Sequence, residues 1–149
     1  MMRQGIQTNF PNEELREAGC HYFVLMKYLE IKHGKIFNDE KLTLYFENLL
    51  EAGVMGYDPK DNKRGIGDKC NVLNAPAMLN MVLDKNVYSE YRRNIMNRPD
   101  NTLFCIQRLV KPDYTHFLLD VYGIGTYDPL DPLRPAASTY RVDSYRILL

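Results

Sequence analysis

The chain carries no excess charge of either sign: its 19 lysines and arginines are matched by 19 aspartates and glutamates. A balanced chain has no long-range field to gather polyanions, so neither nucleic acid nor an anionic membrane is an expected partner. Cysteine is scarce. Cys20, Cys70 and Cys105 are odd in number and widely spaced, which excludes a disulfide scaffold and the paired spacing of a zinc site, and suits a reducing cytoplasm. No stretch approaches the roughly twenty apolar residues of a membrane span, and the polar start Met1 to Gln7 lacks the apolar segment of a signal peptide. A cytoplasmic location is therefore expected. Asp58, Asp61 and Asn62 miss the spacing of a calcium loop, with no glutamate to close it. Gly123-Ile124-Gly125 joins two expected strands and opens no helix, so it has no basis for holding phosphate. Neither a metal nor a cofactor is expected.

At 149 residues the chain fits one domain, residues 1–149, with one core. From Cys20 to about His33 the residues are apolar on nearly every side and stop at Gly34, which predicts a buried central helix. Asn38 or Asp39 caps a second, amphipathic helix through Leu42, Tyr45, Phe46, Leu49 and Leu50 that ends before Gly53. Residues 54–68 are turn-forming and without periodicity, and read as a long loop of the kind that often carries function. A third helix is expected from Ala75 to Leu83, with Asn74 as cap and Pro76 in its first turn. Residues 85–101 permit helix or strand. Beyond Thr102, the segments 103–106, 116–122 and 140–148 are rich in β-branched and aromatic residues and predict an antiparallel sheet. Helices first and strands afterwards, without alternation, give an α+β fold in which N-terminal helices pack on a C-terminal antiparallel sheet.

Two places carry chemistry. Cys20 begins the central helix directly after Gly19, and a thiol at a helix N-terminus ionises more readily because unpaired N–H groups and the dipole favour the thiolate. His116 sits at the start of an apolar strand, with Asp128 on the return strand of the same expected hairpin. An imidazole so placed can take the thiol proton, and a carboxylate can hold the ring in orientation. Asp120, which shares a strand face with His116, and Asp131 are alternative orienting groups. His21 points about 100° away from its neighbour Cys20 on the helix and reads as a structural or substrate-lining residue. His33, at the helix C-terminus, suits a cation interacting with the dipole. Cys70 and Cys105 read as small buried hydrophobes. Tyr114, Tyr122, Tyr127, Tyr140 and Tyr145 read as sheet packing that can also line a groove.

The order Gly19-Cys20, then His116-Phe117-Leu118-Leu119, then Asp128-Pro129 resembles the papain-like cysteine peptidases, and within them the compact bacterial branch that includes the double-glycine-leader peptidases. The resemblance implies a papain-like fold with Cys20 as nucleophile, His116 as general base and then acid, and Asp128 as the orienting group. That family places a glutamine before the cysteine to help bind the oxyanion, and the nearest counterpart is Gln7, thirteen residues before Cys20. The implied activity is cleavage of a peptide-type amide bond through an acyl-enzyme, on a peptide or peptidoglycan stem-peptide substrate. The competing readings are a catalytically inactive domain that binds a protein partner through its cleft and the 54–68 loop, and a thiol acyltransferase using the same three residues.

Overall fold

The structure is a computed structural model that describes residues 1–100, 102–112, 114–130 and 141–149. Its element order begins with a short 3₁₀ turn at Ile6–Asn9, followed by α1 (Glu13–Ala18), α2 (Cys20–His33) and α3 (Asp39–Glu51). A two-stranded pair follows, β1 (Met55–Gly56) with β2 (Asn71–Val72), and then α4 (Ala75–Leu83). The remaining strands are β3 (Tyr91–Ile95), β4 (Phe104–Lys111), β5 (Tyr114–Val121), β6 (Gly125–Tyr127) and β7 (Arg141–Leu148). These last five form one antiparallel sheet in the order β3-β7-β4-β5-β6. The architecture is mixed α+β, and no helix among the described residues is long and apolar enough to cross a membrane.

Every residue of α2 from Cys20 to Glu30 is buried, as its lack of a polar face requires. It packs against β5, and this contact lays the start of the helix over His116. Its end at Gly34 is a left-handed C-cap (φ 68°) that closes on the Glu30 carbonyl. The α3 and α4 starts are fixed by Asn38 and Asn74, whose side chains accept from the N–H groups of Lys41 and Ala77. Apolar side chains from all three long helices meet Ile106, Leu119 and Val121 of the sheet in one core cluster.

Three features depart from the expectation drawn from sequence. A short helix, α1, precedes the central one, capped by Asn12 accepting from the Leu15 N–H. Six residues give too little periodicity to read before packing selects the helix. Within the 54–68 segment, Met55 and Gly56 pair with Val72 and Asn71, a two-residue ladder that leaves no alternation in the sequence. The ambiguous 85–101 segment contains an edge strand, β3, whose register with β7 slips between Arg92 and Ile95, where Asn94 adopts φ 58°. A bulged edge strand lacks the clean period of two that would identify it.

The N-terminal residues are drawn into the same body by a buried ion pair on α2. Lys27 Nζ lies 2.6 Å from Glu30 Oε1, and the pair brackets the Met2 backbone: Nζ donates to the Met2 carbonyl, and the Met2 N–H donates to the Glu30 carboxylate. Charges removed from water require this kind of full hydrogen-bond compensation. The chain then runs beside the end of the β5–β6 hairpin, with the N–H groups of Gly5 and Gln7 donating to the carbonyls of Asp128 and Pro129.

Candidate active site

Cys20 is the first residue of α2, separated from α1 only by Gly19. A Cβ at Gly19 would stand 2.6 Å from the Leu15 carbonyl oxygen and 3.0 Å from the Phe23 ring. Only glycine allows two helices to abut this closely, and the abutment fixes where the thiol projects. The first-turn N–H groups of α2 have no acceptor inside the helix, and the N-cap residue Gly19 has no side chain to cap them.

His116, on β5, is completely buried, and its Nε2 lies 2.7 Å from Asp128 Oδ1. The Cys20 sulfur is close enough to the same ring to favour its protonated form, so the imidazole stands between thiol and carboxylate, with Nε2 on Asp128 and Nδ1 as its other nitrogen. Burial alone would lower the pKa of His116. The Asp128 carboxylate and the Cys20 sulfur outweigh it and push the pKa up to about 9, because a neighbouring acceptor or negative charge favours the protonated ring. The ring therefore keeps its second proton at neutral pH, and the protonated Nε2–H donates to Asp128.

Asp128 is itself held on several sides. Oδ1 also accepts from the Leu130 N–H at 2.9 Å, across Pro129, and the Asp128 N–H donates to Gln4 Oε1 at 2.7 Å. The hairpin register Leu119↔Tyr127, extended by one residue, sets Asp128 opposite Leu118, a diagonal neighbour of His116 on the same sheet face. A hairpin centred on Ile124 would instead set it near Asp120. Asp120 faces Thr126 and is engaged by Arg98, whose Nε lies 2.5 Å from its Oδ2. Asp131 lies outside the described residues.

Gln7 folds back to this region despite its distance along the chain. It is fully buried, and its amide Nε2 donates to the Arg16 carbonyl in α1, 3.2 Å away, while its backbone is tied to Pro129. One amide N–H of the side chain remains beyond that bond. Its position follows from the turn at residues 4–5 and the 3₁₀ segment that carry the chain past Asp128 and Pro129, which no local motif encodes.

Cys20 is also the member of the group that reaches a cleft of about 500 Å³, together with His21, Cys70, Arg93, Arg108 and Arg146. His116 and Asp128 lie behind it. One wall comes from the 54–68 loop and its continuation. That wall is fastened to α1 by the Gly67 N–H donating to the Glu14 carboxylate and by Cys70 Sγ donating to the Glu14 carbonyl at 3.2 Å. Gly67 has φ +86°, and a Cβ there would stand 2.9 Å from the Ala18 Cβ, so the loop meets the helix at a point where only glycine fits. His21 stacks on Phe117 with ring centroids 4.0 Å apart and contacts the Tyr91 hydroxyl at 2.9 Å. Burial, then Arg146, Arg93 and Arg108, hold His21 well below the usual imidazole range, so it is neutral, with its ring engaged by Phe117 and Tyr91.

Other residues singled out from sequence lie elsewhere. His33 bonds the Tyr88 hydroxyl at 2.6 Å, and desolvation, followed by Lys32, Lys85 and Lys35, lowers its pKa. The expected helix-end cation is thus disfavoured, first by desolvation and then by the three neighbouring lysines. Of the tyrosines, Tyr127 is buried with its hydroxyl on the Arg3 carbonyl, and none of Tyr114, Tyr122 and Tyr145 lines the Cys20 cleft. Tyr140 is outside the described residues. The tyrosine beside the cleft is Tyr91, which the unreadable edge strand had concealed. Among the described residues, no cluster of His, Cys, Asp and Glu could hold a metal ion.

Comparison with protein-family models, curated proteins and solved structures gave no match to this chain.

Proposed function

We propose that the protein is a thiol hydrolase of papain-like fold that cleaves a peptide-type amide bond. The observation that carries this reading is one buried imidazole held between Asp128 and the Cys20 thiol, with Cys20 opening onto a cleft at a helix N-terminus. For attack, Nδ1 of His116 holds the proton of the Cys20 thiol, and Asp128 stabilises the imidazolium. The thiolate attacks the carbonyl carbon, forming a C–S bond and an oxyanion. The oxyanion collapses, the C–N bond breaks, and the Nδ1 proton goes to the departing amine, leaving an acyl-enzyme. Neutral His116 then takes a proton from water as its oxygen attacks the acyl carbon. The C–S bond breaks and the acid is released, restoring the thiolate and imidazolium. Peptides, including peptidoglycan stem peptides, are the substrate class that the family resemblance implies.

The first-turn N–H groups of α2 and the remaining Gln7 amide N–H are the donors proposed for the oxyanion. Replacing Gln7 by Ala or by Glu is expected to lower kcat by about 10²-fold, the effect of removing one such donor, with KM little changed. A change confined to KM would remove Gln7 from this role.

Thiol labelling tests the reading independently of any substrate. Burial pushes Cys70 up to about 12 and raises Cys105, so both stay protonated and inert at neutral pH. Iodoacetamide at pH 7 is expected to modify Cys20 first, and His116→Ala should slow that modification by about tenfold or more, since the thiolate is the reacting species. Labelling that favours Cys70 or Cys105, or that ignores the loss of His116, would leave the chain without a working thiol and favour the binding-module reading.

A further inference from the structure

The cleft beside Cys20 has an uneven charge that the hydrolytic chemistry does not use. Three arginines line it, from three neighbouring strands: Arg93 on β3, Arg146 on β7 and Arg108 on β4. In the register Ile106↔Arg146 and Arg108↔Ser144, Arg146 and Arg108 are diagonal neighbours, and the bulge of β3 sets Arg93 beside β7. Like charges in adjacent sheet positions oppose folding unless something compensates them. Arg108 is compensated by Asp143. Arg93 and Arg146 make no ion pair among the described residues, and the cleft's one lining carboxylate, Asp58, is turned to the backbone N–H of Lys60.

Arg146 is the centre of this row. It is 8 % exposed, and its buried Nε–H has no acceptor among the described residues. Its guanidinium lies 5.3 Å from the Phe117 ring centroid and 5.8 Å from that of Tyr91, packing that fixes the plane of the donor fork. A fixed, desolvated guanidinium with an unused N–H, flanked by a second unpaired arginine and a neutral histidine, suits a planar carboxylate.

We infer that Arg146, Arg93 and Arg108 form a carboxylate subsite, so that the site selects amide substrates bearing an acidic group close to the scissile bond. This rests on the thiol-hydrolase reading above. Such a carboxylate is supplied by an acidic side chain or by the free end of a peptide.

The test uses two alkylating reagents of similar size on the full-length protein. Both transfer their CH₂ carbon to the sulfur and expel iodide, but iodoacetate carries a carboxylate and iodoacetamide does not. The ratio of iodoacetate to iodoacetamide rates at Cys20 is expected to exceed that of a small free thiol by about tenfold or more, the scale on which focused charge raises encounter rates. Salt at about 0.5 M should reduce the excess, by screening the charges. Arg146→Gln should abolish the excess. Because Arg146 is buried, Arg93→Gln, at an exposed position, provides the variant least able to disturb the fold and should lower the ratio several-fold. Arg92→Gln, paired to Glu90 outside the cleft, should leave the ratio unchanged. Protection of Cys20 from iodoacetamide by N-acetylglutamate α-amide identifies a side-chain carboxylate as the ligand, and protection by N-acetylglutamine, with its free α-carboxylate, identifies a chain end. Rapid labelling by iodoacetamide without the iodoacetate excess would overturn the subsite and leave the hydrolase reading intact. A Cys20 inert to both reagents would overturn both.

Discussion

Cys20→Ala is expected to abolish hydrolysis of peptide amides while leaving the unfolding temperature near that of the parent. The loss should be about 10⁴-fold or more in kcat, because without the nucleophile only binding and oxyanion stabilisation remain. The fold should tolerate the change. Alanine is the best helix former, and sulfur is the one heavy atom removed, at the edge of a cleft rather than in the core. Steady-state assay on a panel of acidic and neutral peptide anilides, with thermal unfolding of both proteins, checks this result. Undiminished activity in Cys20→Ala would assign the reaction to another nucleophile.

The second large effect concerns the carboxylate. Asp128→Ala is expected to lower kcat by about 10²- to 10⁴-fold, as loss of the group that fixes the imidazole tautomer does in comparable triads, whereas Asp120→Ala should be far milder. Asp120 is bound to Arg98, while Asp128 contacts the ring directly. The pH profile separates orientation from mere structural support. His116 must be protonated to release the amine, so in the parent protein activity falls as pH rises through about 9. Asp128 contributes to that elevation, and its removal moves the alkaline limb to lower pH. An unchanged alkaline limb in Asp128→Ala, or a greater loss in Asp120→Ala, would transfer the orienting role.

The same elevation has a sign for stability. A histidine raised above its unfolded value contributes stability that is complete below about 6.5 and lost as pH rises through about 9. Asp128 thus links the chemistry of the site to the cohesion of the hairpin: the imidazolium that supplies the leaving group's proton through Nδ1 is the one that joins the hairpin end to the strand through Nε2–H.

What the sequence determined by itself was local. Asn38 and Asn74 mark helix starts because their side chains satisfy N–H groups within three residues, and Gly34 ends α2 because only its own backbone must turn left-handed. The all-round apolar run after Cys20 required a buried helix, and the β-branched segments after Thr102 required a sheet. The tertiary structure decided whatever depends on register or on distant neighbours. Hairpin register set Asp128 opposite Leu118 and left Asp120 to Arg98, because the turn is centred on Gly123 rather than Ile124, a one-residue difference that turn composition does not encode. Gln7 reaches α1 because a buried Lys27–Glu30 pair anchors Met2. The basic row could not be read from a chain of zero net charge: Arg93, Arg108 and Arg146 lie far apart in sequence, and antiparallel pairing of three strands brings them to one cleft. Net charge sums over the whole molecule, whereas a substrate meets the field of the few groups that the fold places beside the thiol.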